Sequence, residues 1–95
     1  MVVLNKGTIE DIPVDIVETL GNVTTLNGLG LKYDLYKDNP AETVVILDVA
    51  TNNTGMKALP LFDTTNLAEG NYVFFLKFAS VPEYPRLGPF KFRVD

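Results

Sequence analysis

Histidine, cysteine and tryptophan are absent from this 95-residue chain, and Ser80 is its single serine. Without imidazole or thiol groups, the chain excludes zinc-finger sites, disulfides and every nucleophilic triad that depends on histidine or cysteine. These absences favour a binding or structural module over an enzyme. We therefore expect no catalytic residue, no cofactor and no bound metal.

Basic residues are also few, since 8 lysines and arginines stand against 12 acidic residues and the formal net charge is −4. They are scattered singly, whereas nucleic-acid binding needs a basic face that displaces counterions. No apolar run approaches the roughly 18 residues of a membrane span. Met1–Leu4 lacks the basic region that opens a signal peptide. We expect no nucleic-acid partner, no membrane partner and synthesis in the cytoplasm.

Alternating apolar residues predict strands rather than helices along the chain. The clearest strand is Asn71–Ala79, which is apolar on both faces and is therefore predicted to be central in its sheet. Shorter strands are predicted at 1–4, 8–18, 23–26, 30–37, 43–50, 56–62 and 89–94. A single domain over residues 1–95 with about seven short strands is typical of an all-β, antiparallel two-sheet sandwich of immunoglobulin-like type.

Glycine, asparagine and proline place the breaks between these strands. Turns are predicted at Gly21-Asn22, at 27–30, at 38–40 and at 51–55, and the last of these has a hairpin as its alternative. Pro13 and Pro60 fall inside predicted strands. Because proline cannot donate to a sheet ladder, each is expected at a sheet edge or a bulge.

The most specific motif is Leu67-x-x-Gly70-x-Tyr72, directly before the strongest strand. It is the pattern of a tyrosine corner, in which the tyrosine hydroxyl bonds back to the backbone of the preceding loop. Leu67 is expected to close one end of the core, and Gly70 to take a positive φ in the tight turn. Asp63 or Thr64 is predicted to cap one helical turn there. The motif predicts a packing role for all three residues.

The segment from Asp63 to Tyr72, the aromatic strand after it and the closing stretch Gly88–Val94 resemble the immunoglobulin-like modules of tailed bacteriophages. The Leu26–Leu29 loop and the strand over 31–38 are similar to the N-terminal domain of phage baseplate upper proteins. The resemblance covers residues 20–95, and the same motifs would also suit fibronectin-type or bacterial immunoglobulin-like domains.

This resemblance implies a structural protein of the virion, present in many copies on a symmetric lattice, that binds other virion proteins of the capsid or the tail and baseplate. Baseplate upper proteins continue into a long helical part, whereas this sequence ends at Asp95. The expectation is therefore a small virion component, such as a capsid decoration, head–tail or tail-associated protein.

Two segments are candidates for partner contact. The loop over 80–87 is stiffened by two prolines and presents Tyr84, Arg86 and Leu87. Tyrosine and arginine are favoured in interface hot spots, and rigid loops lose less entropy on docking. The alternative is a loop folded over the end of the sandwich with Tyr84 half-buried.

The second candidate is the first strand. Its apolar residues Val2, Val3 and Leu4 can add to the sheet edge of a neighbouring subunit. The alternative is an ordinary first strand of the domain.

Three other functions are weaker readings of the sequence. A carbohydrate-binding or adhesin-like module would need exposed tyrosines in place of the missing tryptophan, and an enzyme would need two carboxylates in a pocket. Calcium would need oxygen ligands gathered at one end of the sandwich. The residues concerned are Tyr33, Tyr36 and Tyr84 for sugar; Glu10, Asp11, Asp15, Asp34 and Asp38 for catalysis; and Asp48, Asn52, Asn53 and Asp63 for calcium.

Overall fold

A computed structural model describes residues 1–16 and 23–95 of the chain. In this part of the chain the fold is all-β, with ten strand segments and one 3-10 turn, Thr64–Asn66. The strands are β1 (Val2–Leu4), β2 (Ile9–Asp11), β3 (Val14–Asp15), β4 (Leu31–Lys37), β5 (Val44–Ala50), β6 (Asn52–Thr54), β7 (Lys57–Leu59), β8 (Leu61–Asp63), β9 (Gly70–Phe78) and β10 (Leu87–Val94). The predicted turn at Gly21-Asn22 lies outside the described residues.

The larger sheet has five strands in the order β1-β10-β9-β4-β5. Strand β9 lies at its centre and pairs antiparallel with β4 and β10, which confirms the central strand predicted from its two apolar faces. Strand β1 pairs parallel with β10, with Val2 opposite Phe92 and Leu4 opposite Val94. The antiparallel arrangement expected from the sequence is therefore wrong for this one pair.

The second layer consists of two smaller sheets, β2-β8 and β3-β7-β6. Pro13 and Pro60 mark the break between them, since β3 begins after one and β8 after the other. The Ile12 N–H donates to the Pro60 carbonyl at 3.1 Å, so one hydrogen bond joins the two ladders across the break. Both prolines thus lie between strands rather than inside them, next to the edge strands β2, β3 and β8, where a sheet edge or a bulge was expected.

The core lies between the two layers and is mainly aromatic. Phe62 of β8 is 1% exposed, and its ring centroid lies 4.8 Å from Tyr33, 5.1 Å from Phe74 and 4.8 Å from Phe92. Those three residues belong to β4, β9 and β10, so a single side chain of the second layer contacts three strands of the larger sheet. This packing gives the chain a sandwich-like, all-β fold.

One strand assignment made from the sequence is wrong. Residues 23–26 do not form a strand; Leu26 is buried and donates its N–H to the Gly55 carbonyl at 2.9 Å. The segment 51–55, for which the sequence left a simple turn and a hairpin open, belongs to a hairpin: it contains β6, which pairs with β7 through a two-residue loop at Gly55-Met56. Gly55 has φ +58, and this geometry lets asparagine-rich sequence form a hairpin.

The segment between β8 and β9 has the geometry of a tyrosine corner. The Tyr72 hydroxyl donates to the Ala68 carbonyl at 2.6 Å, and Leu67 is buried against the core. Gly70 has φ +144, which favours glycine. Asp63 caps the 3-10 turn by accepting the Thr65 N–H at 3.0 Å.

Candidate protein-interaction surfaces

An apolar groove runs along one side of the molecule, where β5 of the larger sheet faces β2 and β8 of the second layer. Its volume is about 480 Å³. Tyr33, Leu35, Phe62 and Leu67 belong both to this groove and to the core. The remaining lining residues are Ile9, Val45, Ile46, Leu61, Asp63 and Asn66. The groove therefore opens directly onto the core, with side chains of both layers as its walls.

The shape of this groove depends on two irregularities in β5. Between Tyr33 and Leu35 of β4 the register of β5 shifts by one residue, and it shifts again between Leu35 and Tyr36. Asp48 lies in the first bulge with φ +60 and donates its N–H to the Asp34 carboxylate at 2.9 Å. Each bulge places two residues of β5 opposite one of β4 and interrupts the alternation of side chains.

Strict alternation would place Val44, Ile46 and Asp48 on one face of β5 and Val45, Leu47 and Val49 on the other. Val45 and Val49 do pack against the core, whereas Leu47 is exposed. Val44, Ile46 and Leu47 are all exposed, although a half-buried strand normally exposes one face only. β5 thus presents apolar side chains to solvent at the edge of the larger sheet.

The polar end of the groove is acidic. Asp63 accepts hydrogen bonds from both the hydroxyl and the N–H of Thr65, and these bonds lower the pKa of its carboxyl group. Asn66 is the other polar side chain in the lining. The groove therefore combines apolar walls with one carboxylate that is ionised at neutral pH.

The first strand forms a separate exposed surface at the opposite edge of the larger sheet. Val2 and Val3 are exposed, at 43% and 45%, and Met1 is more so. Leu4 is buried among the core residues, so its side chain faces its own domain. Of the three residues proposed for contact at this strand, Val2 and Val3 are therefore accessible.

The loop over 80–87 packs against its own domain. Tyr84 is half-buried and meets Phe78 edge-on, with ring centroids 5.8 Å apart. The Arg86 guanidinium carbon lies 3.8 Å from the centre of the Phe75 ring, a cation–π contact. Leu87 is half-buried opposite Leu76. The loop thus takes the folded-over arrangement that the sequence left open, and Tyr84 and Arg86 line a second cavity of about 450 Å³.

The outer face of the larger sheet, where Arg86 stacks on Phe75, also carries an ionic cluster centred on Lys77. Its ammonium group lies 2.9 Å from the buried Asp34 carboxylate and also contacts Asp48. The hydrogen bond and charge of Lys77 lower the pKa of Asp48, while the two carboxylates raise the pKa of Lys77. Lys77 therefore links β9 to the first bulge of β5.

This cluster predicts loss of stability in acid. A lowered aspartate pKa contributes stability that is full above the unfolded value, about 3.9, and is lost as the pH falls below it. We expect Asp48→Asn to be less stable than the wild type by a constant margin between pH 5 and 9, and the margin to shrink below about pH 4. Urea unfolding at each pH measures it. A margin that persists unchanged at pH 2 would contradict the assignment.

Several of the residues considered for catalysis and calcium make other contacts. Asp34 and Asp48 contact Lys77, and Asp38 lies 3.7 Å from Lys91. Asn53 donates to Asn27 at 2.9 Å, whereas Asp63 caps the 3-10 turn. Within residues 1–16 and 23–95, no three carboxylates come together in a group that could hold a metal ion.

The tyrosines considered for sugar binding do not share a surface. Tyr33 is 5% exposed, donates its hydroxyl to the Leu61 carbonyl at 2.8 Å, and lies in the core. Tyr36 lies on the opposite face of the larger sheet, against the edge of Phe75. An exposed platform containing all three tyrosines is therefore not formed.

Sequence reasoning missed the groove residues Ile9, Ile46 and Leu61. The available signal is the run from Val44 to Leu47, four consecutive apolar residues in a strand that the fold places at a sheet edge. In a two-layer fold each sheet packs on the core through one face only, so such a run cannot be buried on both faces. It therefore indicates either a bulge or an exposed apolar surface.

Comparisons with protein-family models, with curated proteins and with solved structures find no match to this chain. No helix in the described part of the chain has the length and apolar character that a membrane span requires. The class defined by the fold and the exposed surfaces is a small, sandwich-like all-β protein with two apolar edges.

Proposed function

We propose that this chain is a non-enzymatic, protein-binding β-sandwich module whose contact surface is the groove between β5 and β8. The observation that carries the proposal is the apolar groove of about 480 Å³, walled by Ile9, Ile46 and Leu61, each about half exposed or more. Apolar side chains concentrated at one exposed place mark sites of protein contact, because burying them in a partner is favourable.

We further propose an immunoglobulin-like topology for the sandwich. The order of the larger sheet and the paired segments β2-β3 and β7-β8, each read as one strand interrupted by proline, support this assignment. The tyrosine corner at Tyr72 supports it as well, because that device is typical of such sandwiches.

The proposed setting is a bacteriophage virion, in which the chain is a capsid decoration, head–tail or tail and baseplate component made in the host cytoplasm. This part of the proposal derives from the resemblance over residues 20–95. The groove adds a physical means by which such a component would bind other virion proteins. A carbohydrate-binding role, the alternative from the sequence, gains no support from the positions of Tyr33, Tyr36 and Tyr84.

Site-specific photo-crosslinking tests this function. A photoreactive phenylalanine analogue replaces Ile46 in the groove or, as a control, exposed Thr24, which lies in neither apolar edge. Both proteins are incubated with separately purified capsid and tail proteins of the phage that encodes the chain. We expect a crosslinked product of defined mass from position 46 and none from position 24. Equal labelling from both positions, or no product either with a virion protein or with a second copy of the chain, would overturn the proposal.

A further inference from the structure

The exposed apolar side chains of the described residues fall into two groups at opposite ends of the larger sheet. One group is Val2 and Val3 of β1 together with the preceding Met1, which we call the β1 edge. The other, the groove edge, comprises Ile9, Val44, Ile46, Leu47 and Leu61. All eight large hydrophobic residues that are exposed in residues 1–16 and 23–95 belong to these groups, and their exposed fractions range from 43% to 76%.

The two groups are separated by the full width of the sheet. β1 and β5 are its first and last strands, so with neighbouring strands about 4.8 Å apart the edges are about 19 Å from each other. A single copy cannot bring its own two edges into contact. Two copies can, if the β1 edge of one meets the groove edge of the next.

Charged side chains lie beside both edges, and most of them are paired within their own chain. On β10, which borders β1, Lys91 pairs with Asp38 and Arg93 with Asp95, and both basic side chains are about half exposed. Beside the groove edge Asp48 pairs with Lys77, whereas no salt bridge within residues 1–16 and 23–95 involves Asp63. The Asp63 carboxylate can therefore face the basic side chains of β10 across the contact, while apolar burial supplies affinity.

We propose that the chain assembles head to tail, with the β1 edge of one copy seated on the groove edge of the next. This inference rests on the proposed protein-binding function and identifies the partner as a second copy of the chain. Different surfaces of the two copies meet, so the contact is heterologous and propagates into rings or filaments. Such a contact suits a component present in many copies.

Two features favour this arrangement over other self-contacts. Pairing groove to groove would bring two Asp63 carboxylates together, and like charges at an interface are unfavourable. Extension of the sheet through β5 is hindered by its two bulges, which distort the row of N–H and C=O groups that another strand would need. Contact through side chains remains available at both edges.

Complementation between two edge variants tests the inference. Val3→Asp disables the β1 edge and Ile46→Asp disables the groove edge, each at an exposed side chain. We expect the wild-type mass in analytical ultracentrifugation to rise with concentration, and each variant alone to associate more than about tenfold more weakly because a carboxylate would be buried. Mixed in equal amounts, the two variants retain one working edge each and form a 1:1 dimer that grows no further.

Matched controls make each outcome decisive. Thr24→Asp adds the same charge outside both edges and assembles like the wild type, and formation of the mixed dimer itself shows that both variants are folded. A wild-type chain that remains monomeric at millimolar concentration overturns the inference. The inference is also overturned if Ile46→Asp loses association, Val3→Asp does not, and mixing the two variants gives no rescue. That pattern would indicate a symmetric contact. Crosslinking from position 46 to another virion protein without self-association would sustain the proposed function while rejecting the second copy as partner.

Discussion

The Phe62→Ala variant is expected to unfold with a free energy about 3–5 kcal/mol below that of the wild type. Phe62 is almost fully buried, and its ring lies within about 5 Å of the rings of Tyr33, Phe74 and Phe92. Truncation removes these contacts and leaves a cavity between the two layers. The three neighbours lie on adjacent strands of one hydrogen-bonded sheet, so they cannot collapse into the space.

A loss of this size is a large share of the total, because domains are stable by only about 5–15 kcal/mol. For a chain of this length each kcal/mol lowers the melting temperature by about 4–8 °C. Urea unfolding followed by circular dichroism measures the difference. Leu61→Ala is the matched control, since Leu61 is the preceding residue and is 53% exposed, and we expect it to cost no more than about 1 kcal/mol. Equal losses in the two variants would contradict the packing of β8 against the larger sheet.

Strand faces were predictable wherever alternation runs without a bulge. On β4, Leu31, Tyr33 and Leu35 are buried together, and on β10 Phe92 and Val94 are buried while Lys91 and Arg93 are exposed. Because successive side chains of a strand point to opposite faces, the apolar pattern alone specifies the core side of these strands.

The tyrosine corner was predictable for a different reason. Its bond joins Tyr72 to Ala68, four residues apart, and the positive φ of Gly70 lies between them. All the determinants are local in sequence. A short motif can therefore specify this geometry without knowledge of the rest of the fold.

The groove could not be predicted, because its shape depends on contacts between distant residues. The first bulge of β5 depends on the Asp34 carboxylate, which lies 14 residues away and accepts the Asp48 N–H. Lys77 approaches both acids from β9. Each residue alone looks like a solvated charge, and their shared effect on β5 appears only after the strands have paired.

The loop over 80–87 illustrates the same limit. Arginine and tyrosine on a rigid loop favour a contact with a partner, and the sequence gives no sign that Phe75 on the preceding strand offers Arg86 a ring to stack on. The outer face of β9, whose Val73 and Phe75 need cover, is thus partly covered by the chain's own loop and by Tyr36. The exposed apolar residues remain at the two edges.

Thr64 is a buried polar residue on which a second stability prediction rests. Its side chain is completely buried, and its hydroxyl oxygen accepts the Thr8 N–H at 2.9 Å. The hydroxyl hydrogen faces the carbonyls of Thr8 and Asn5, at 2.7 and 2.8 Å. These bonds attach the connection between β1 and β2 to the 3-10 turn that follows β8.

We expect Thr64→Val to lower the free energy of unfolding by about 1–3 kcal/mol. Valine fills the same volume, so the loss comes from the Thr8 N–H, which is left without its acceptor, rather than from a cavity. The Thr8 and Asn5 carbonyls still accept from the Thr64 N–H and the Thr8 hydroxyl. Thr65→Val is the control on the same turn; Thr65 is exposed, and its replacement should change stability by no more than about 0.5 kcal/mol.

Hydrogen exchange separates this explanation from a general loss of packing. In Thr64→Val the Thr8 amide should exchange markedly faster than in the wild type. The exchange rates of the β9 amides should change only as far as the free energy of global unfolding changes. Unchanged protection at Thr8 would show that its N–H does not depend on the Thr64 hydroxyl. If the connection is released as expected, β1 loses one of its attachments, the bond from the Thr64 hydroxyl to the Asn5 carbonyl, and keeps its pairing with β10. Thr64→Val should then also weaken the proposed head-to-tail assembly, although Thr64 belongs to neither edge.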